Sequence, residues 1–166
     1  KSFKTPQVTP HTLSIASKLI DLGANREEIV EYLYRTKSIA ALKLWGKALA
    51  RIDGDNSLGF VWTTVTKEDF LHAGAGEHDL PELVHELISS TPDAKVSAIF
   101  YECPGSEEKI CALVSSERAF DARTLTKPFE PSGSRNFVRL EFKGKNIHEV
   151  RDTVTDNIKK ILARVK

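Results

Sequence analysis

KVSAIFYECPGSEEKICALVS, residues 95–115, decides the fold. Lys95 to Cys103 and Lys109 to Ser115 are rich in β-branched, aromatic and small apolar residues. Pro104-Gly105-Ser106-Glu107-Glu108 between them is a turn sequence short enough for a hairpin. The two runs therefore predict an antiparallel strand pair. Upstream, LGFVWTTV (58–65) is apolar at successive positions, as a strand covered on both faces requires. Downstream, Val138, Leu140 and Phe142 alternate with Arg139 and Glu141 and predict a last strand.

Helical signals fill the intervals. Thr66 with Asp69, and Asp79 with Glu82, have the spacing of a capping box, the second pair preceding Leu83, Val84, Leu87 and Ile88. A weakly helical stretch covers Asp121 to Lys127 and leads into the loop PFEPSGSRN. Asn146 with Glu149 opens a final helix, whose apolar positions Ile147, Val150, Val154, Ile158, Ile161 and Val165 keep the 3 and 4 spacing. Trp45, Leu49, Trp62, Phe100, Leu113, Leu140 and Ile158 are expected to be buried together.

Before the turn cluster Asp53-Gly54-Asp55-Asn56 the chain reads as helices only. Thr9-Pro10 starts the first, with Leu13, Ala16, Leu19, Ile20 and Leu22 on one stripe, and Gly23 ends it. Asn25 caps the second, Glu27 and Glu28 stand where the helix dipole favours negative charge, and Ile29 and Leu33 are its expected buried positions. After Thr36, Leu42, Trp45, Leu49 and Ile52 mark a third helix, on which Lys43, Lys47 and Arg51 form a basic stripe read as a solvated face. The fold class is thus α/β: a mixed sheet of four or five strands flanked by helices, preceded by an N-terminal helical arm.

Composition bounds the function. The chain has 166 residues, 24 Lys plus Arg against 23 Asp plus Glu, and a net charge of +1, so no global field concentrates nucleic acid or an anionic membrane surface. Any anion site must be local. No apolar run approaches a membrane span, and KSFKTPQVTP lacks the apolar stretch of a signal peptide, so no membrane partner is expected. Cys103 and Cys111 are too few for a disulfide framework, and their spacing suits neither a CxxC redox site nor a zinc ligand set, which makes a reducing, cytoplasmic location the expectation. The absence of any Met predicts an excised piece of a longer protein.

Motifs with chemistry of their own are few. Asp53-Gly54-Asp55-Asn56-Ser57 begins like a calcium loop, but Leu58 stands where that loop requires Gly and Thr64 where it requires Glu. Glu77-His78-Asp79 with His85 reads as a solvated loop, the two His being seven residues apart. His11, His72 and His148 lie beside no Ser, Cys or Asp pattern suited to a triad. Neither a catalytic residue nor a metal ligand set is expected. The best candidate site is Ser132-Gly133-Ser134-Arg135-Asn136: two hydroxyls, a glycine that lets backbone amides approach an anion, and a guanidinium able to grip phosphate at two points. The competing reading is an ordinary turn. Arg118 and Arg123 lie near in sequence.

The segment order TPxVTPHTLxIAxxLIxLGAxxEEIxEYLY, then KSxAxLKLxGKALARI, then strand, helix pair, hairpin and late Gly-containing loop, resembles the C-terminal part of the DHH-family phosphoesterases, in the nano-RNase, pAp phosphatase and exopolyphosphatase-related branch. The resemblance implies a linker over 1–53 and, over 54–166, a DHH-associated, substrate-binding-like domain. That domain would take the phosphate end of a nucleotide or short RNA, weakly, through Ser115, Ser132, Gly133, Ser134, Arg135, Asn136 and Arg123. The other reading is a degenerate module kept for protein contacts. The family's Asp-His-His metal motif is missing here, so a divalent Mn or Mg ion is expected only in a DHH domain outside this chain. The chain alone would not hydrolyse substrate, whereas the parent protein would be the metal-dependent phosphoesterase. That DHH domain and a second copy of the chain are the implied protein partners. Val114 stands where the family's Ser-Leu-Arg-Ser strand carries its Arg, and Ser134 where its Gly-rich run carries His.

Overall fold

The computed structural model describes residues 9–34, 37–106 and 108–165, and divides them into two units between Ser38 and Ile39. In the smaller unit α1 spans Pro10–Asp21 and α2 Arg26–Tyr34. Thr9 caps α1 through a reciprocal bond with Thr12, and Asn25 Oδ1 accepts the amides of Glu27 and Glu28 at 3.1 and 3.2 Å. No residue of α1 is buried. Ile29, expected inside, is 50 % exposed; the side chain of Leu33 and all of Thr36 lie outside the described residues.

The larger unit, Ile39–Lys166, begins with α3 (Ile39–Leu49), which buries Ala41, Leu44, Trp45 and Ala48, so this helix packs with the domain that follows it. Then come β1 (Asp53–Asp55), β2 (Phe60–Val65), α4 (Lys67–Ala73), a 3-10 turn at Glu77–Asp79, α5 (Leu80–Ser90), β3 (Val96–Glu102) and β4 (Lys109–Ser116). The chain finishes with α6 (Ala122–Leu125), β5 (Ser132–Gly133), β6 (Phe137–Lys143) and α7 (Ile147–Val165). The sheet is mixed and six-stranded, in the order β1-β2-β3-β4-β6-β5. Strands β2 and β3 are parallel, joined through α4 and α5, and β3 and β4 form the expected hairpin. The expected count of four or five strands misses β1 and β5, which have three and two residues. Strands that short carry no alternation and exist only because a partner supplies their hydrogen bonds.

The core is two layers, not one. Because side chains alternate across a strand, Val61, Val65, Ile99, Tyr101, Cys111 and Leu113 face α3, α4 and α5, together with Trp45. Phe60, Trp62, Phe100, Ala112, Val114 and Leu140 face α6 and α7, together with Val154 and Ile158. The residues expected to be buried together are thus divided by the sheet, and Leu49 is 46 % exposed. Burying each large apolar side chain contributes about 1.5–3 kcal/mol.

Other expectations change with packing. The basic stripe expected on the third helix is only partly solvated: Arg51, which falls just beyond α3, is bonded to both carboxylate oxygens of Asp69, and Lys47 Nζ lies 3.4 Å from Asp69 Oδ1. Asp69 forms the expected capping box with Thr66 as well. Asp79 does not cap α5; its Oδ2 instead accepts the Gly76 amide at 3.0 Å, at the start of the preceding 3-10 turn. The two cysteines, too few for a framework, nonetheless bond to each other, because the hairpin register sets Cys103 diagonally from Cys111 with Cα atoms 5.8 Å apart. Among the described residues no helix is long and apolar enough to cross a membrane.

Candidate functional site

The loop singled out in the sequence is a tight turn between β5 and β6. Gly133 has φ +131°, and a Cβ there would stand 2.4 Å from Phe137 O and 3.0 Å from Val138 Cα, so the close approach of the two strands itself requires glycine. The polar groups of the turn are largely used within it. Ser134 donates its amide to Phe137 O at 2.8 Å and its hydroxyl to the same oxygen at 3.3 Å, while the Ser132 hydroxyl donates to Arg139 O at 3.2 Å. The Asn136 carboxamide turns inward and donates to Glu117 O and Phe120 O, each at 2.8 Å, and to Ser116 Oγ at 3.1 Å.

Arg135 is different. Its carbonyl accepts the Ala122 amide at 2.7 Å, which fixes the backbone of the turn against the start of α6, while its guanidinium stays 66 % exposed. Nε lies 4.0 Å from Asp121 Oδ2. Asp121 is committed through its other oxygen, which accepts the Arg123 and Thr124 amides at 2.9 and 3.2 Å as the cap of α6. Arg123 and Lys127, with Asp121, Thr124, Glu130 and Pro131, line an open groove of about 530 Å³. Arg135 thus lies near the Asp121 carboxylate that also lines this groove, and Glu130 adds a second acid to it.

Ser115 lies on the α5 side of β4. It is 1 % exposed, shares a hydrogen bond of 3.1 Å with His85 Nδ1, and donates to Asn136 O at 3.4 Å. The His85 ring stacks on Phe137 at 5.3 Å between centroids. His85, read as part of a solvated loop, is thus an α5 side chain paired with a serine thirty positions away. No spacing in the sequence connects them; only the register of β4 with β6, which sets Ser115 opposite Phe137, brings them together. A serine so enclosed supports the loop from beneath. Of the seven residues expected at the site, Arg135 and Arg123 present charge to solvent, Ser132, Gly133 and Ser134 build the turn, and Ser115 and Asn136 brace it.

Chemically, Arg123, Lys127 and Arg135 can attract and orient an anionic group, and Asp121 and Glu130 moderate that attraction. Among the described residues no three His, Cys, Asp or Glu side chains come together as a metal site.

No protein-family model matches the chain, and no curated protein matches it. Among solved structures it is similar to an exopolyphosphatase-related protein from Bacteroides fragilis, with a TM-score of 0.78 and 21% identity over 97% of this chain and 47% of that one. It is also similar to a pGpG-specific phosphodiesterase from Vibrio cholerae, with a TM-score of 0.53 and 13% identity over 94% of this chain and 53% of that one. The chain spans about half the length of each of these proteins. At such identities the likeness is one of fold: the chain has an α/β fold shared with an exopolyphosphatase-related protein.

Proposed function

We propose that residues 39–166 are a non-catalytic domain that binds the phosphate end of a nucleotide or short nucleic acid, within an exopolyphosphatase-related phosphoesterase of the DHH type. The observation that carries this reading is the exposed Arg135 guanidinium, held by the Ala122–Arg135 backbone bond beside a groove that Arg123 and Lys127 line. A guanidinium grips phosphate at two points, and further cations nearby add attraction that salt screens. By analogy of fold alone, the likeness to an exopolyphosphatase-related protein supports a phosphate-bearing ligand. Hydrolysis, with Mn or Mg, then belongs to a DHH domain beyond this chain, which is also the domain's natural protein partner.

A second reading, a degenerate module kept for protein contacts or self-association, is favoured by one observation: both loop hydroxyls and the Ser134 amide already donate inside the turn, beside a groove that Asp121 and Glu130 line along with the cations. Titration with pAp and with a short RNA at low salt separates the two. Under the binding reading, both ligands bind in the high-micromolar to millimolar range, affinity falls as salt rises, and Arg135→Ala weakens it about tenfold, the worth of one charged hydrogen bond. Binding undetectable at millimolar ligand, or indifferent to Arg135→Ala, leaves the interaction module standing.

A further inference from the structure

On the opposite side of β6 from the groove lies a cluster that phosphate binding does not use. Arg139, paired in register with Leu113 of β4, reaches across the sheet face. Its Nη1 lies 2.8 Å from Glu77 Oε1, and its Nη2 lies 3.4 Å from Glu141 Oε1 and 3.4 Å from Cys111 Sγ. Glu77 Oε1 also accepts the Tyr101 hydroxyl at 2.7 Å, and Glu141 Oε2 is 3.4 Å from Lys109 Nζ. Arg139 Nε is buried and has no hydrogen-bond partner among the described residues.

A disulfide held only for structure needs no cation, since its sulfurs are neutral and weak acceptors. A guanidinium against one of the two sulfurs, with a buried donor to spare, is the environment that stabilises a thiolate. We propose that Cys103 and Cys111 form a reversible dithiol–disulfide couple, in which Arg139 holds the Cys111 sulfur as a thiolate in the reduced state, the reductant being a dithiol.

The exchange runs as follows. A thiolate of the reductant bonds to Cys103 Sγ, the Cys103–Cys111 bond breaks, and its electron pair leaves on Cys111 Sγ beside Arg139. The reductant's second sulfur, as thiolate, then displaces Cys103 Sγ, closing a disulfide in the reductant. Two electrons pass to the protein. Of the two protons lost by the reductant, one goes to Cys103 and the other to solvent, while Cys111 stays ionised. Attack at Cys103 follows from position and charge. It adjoins the exposed Pro104-Gly105 turn, and Cys111 next to a guanidinium is the better leaving group. Among the described residues, the charged and titratable groups joined to the Cys111 sulfur, directly or through Arg139, include Arg139 and Glu141 from β6, Glu77 from the 3-10 turn, Tyr101 from β3 and Lys109 from β4. Glu77 and Glu141 compete with a thiolate for Arg139, so removing one of them is expected to act opposite to removing the arginine.

The test equilibrates the intact chain with reduced and oxidised dithiothreitol, traps free thiols by alkylation and counts them by mass spectrometry. Arg139→Gln is expected to lower the equilibrium constant for reduction about tenfold, or roughly 30 mV for a two-electron couple. Arg139→Lys should stay within a few-fold of wild type, and Glu77→Gln should raise the constant. Circular dichroism of each oxidised variant establishes that it is folded. A constant unchanged in Arg139→Gln, a constant that falls in Glu77→Gln, or thiols that appear only on denaturation would each overturn the proposal.

Discussion

Arg51, just beyond α3, grips the carboxylate of Asp69 in α4 at both oxygens, with Nη2 to Oδ1 at 3.1 Å, while Asp69 itself is 2 % exposed. The same carboxylate accepts the Thr66 amide at 2.9 Å and its hydroxyl at 3.0 Å. One side chain therefore caps α4 and ties it to α3. Burial alone would raise the Asp69 carboxyl's pKa, but the bonds from Arg51 and Thr66 outweigh it and hold the group well below the usual carboxylate range.

Acid should weaken the domain through this residue. Unfolded, Asp69 titrates near an ordinary carboxylate, about 3.9; folded, it titrates lower, so the unfolded chain binds more protons between the two values. Its contribution is complete above about pH 5 and is lost as pH falls through the ordinary range toward the depressed value. Asp69→Asn is expected to cost about 2–3 kcal/mol at neutral pH, less than a fully buried pair because Arg51 and Lys47 are more than a third exposed. It should also flatten the fall in stability below pH 5. Urea unfolding from pH 3 to 7 measures both effects, and an acid limb identical to wild type would refute the assignment.

Gly133→Ala tests the turn. The new Cβ meets Phe137 O inside contact distance at a φ that L-residues seldom adopt, so a loss of about 1–3 kcal/mol is expected, with β5 released from β6. Faster amide exchange of Gly133 and Ser134, with the centre of β4 unchanged, is the expected pattern. Exchange and stability equal to wild type would mean that glycine is not required there.

Asn136 gives a third check. Asn136→Ala leaves Glu117 O and Phe120 O without the carboxamide donor and is expected to cost about 1–3 kcal/mol. Asn136→Asp should be worse, since it turns a carboxylate toward two carbonyl oxygens. Thermal melts rank the pair, and an aspartate variant more stable than the alanine one would contradict this geometry.

The elements themselves were legible. The Thr66 and Asn146 caps, the Pro104-Gly105 turn and the 3 and 4 spacing from Ile147 onward are local signals, and the structure forms the corresponding elements within a few residues. At the candidate site, Ser132 to Asn136 stand out in the sequence as an anion-binding loop with an ordinary turn as the competing reading, and the structure forms a turn there. What could not be read was where each polar atom is spent: Ser134 on Phe137 O, Asn136 on the 117–120 segment, Ser115 on His85.

The amino-acid sequence by itself determined an α/β chain whose helices and main strands are set by caps, turns and periodicity, because these act over three or four residues. The tertiary structure alone decided that the sheet separates Trp45 from Trp62, that Asp69 latches α3 to α4, that Cys103 reaches Cys111, and that Arg139 lies against that sulfur. The placements of Trp45, Trp62, the cysteines and Arg139 follow from strand register and from which face a side chain takes, where a shift of one residue would reverse them, and the Asp69 latch follows from the packing of α4 beside α3.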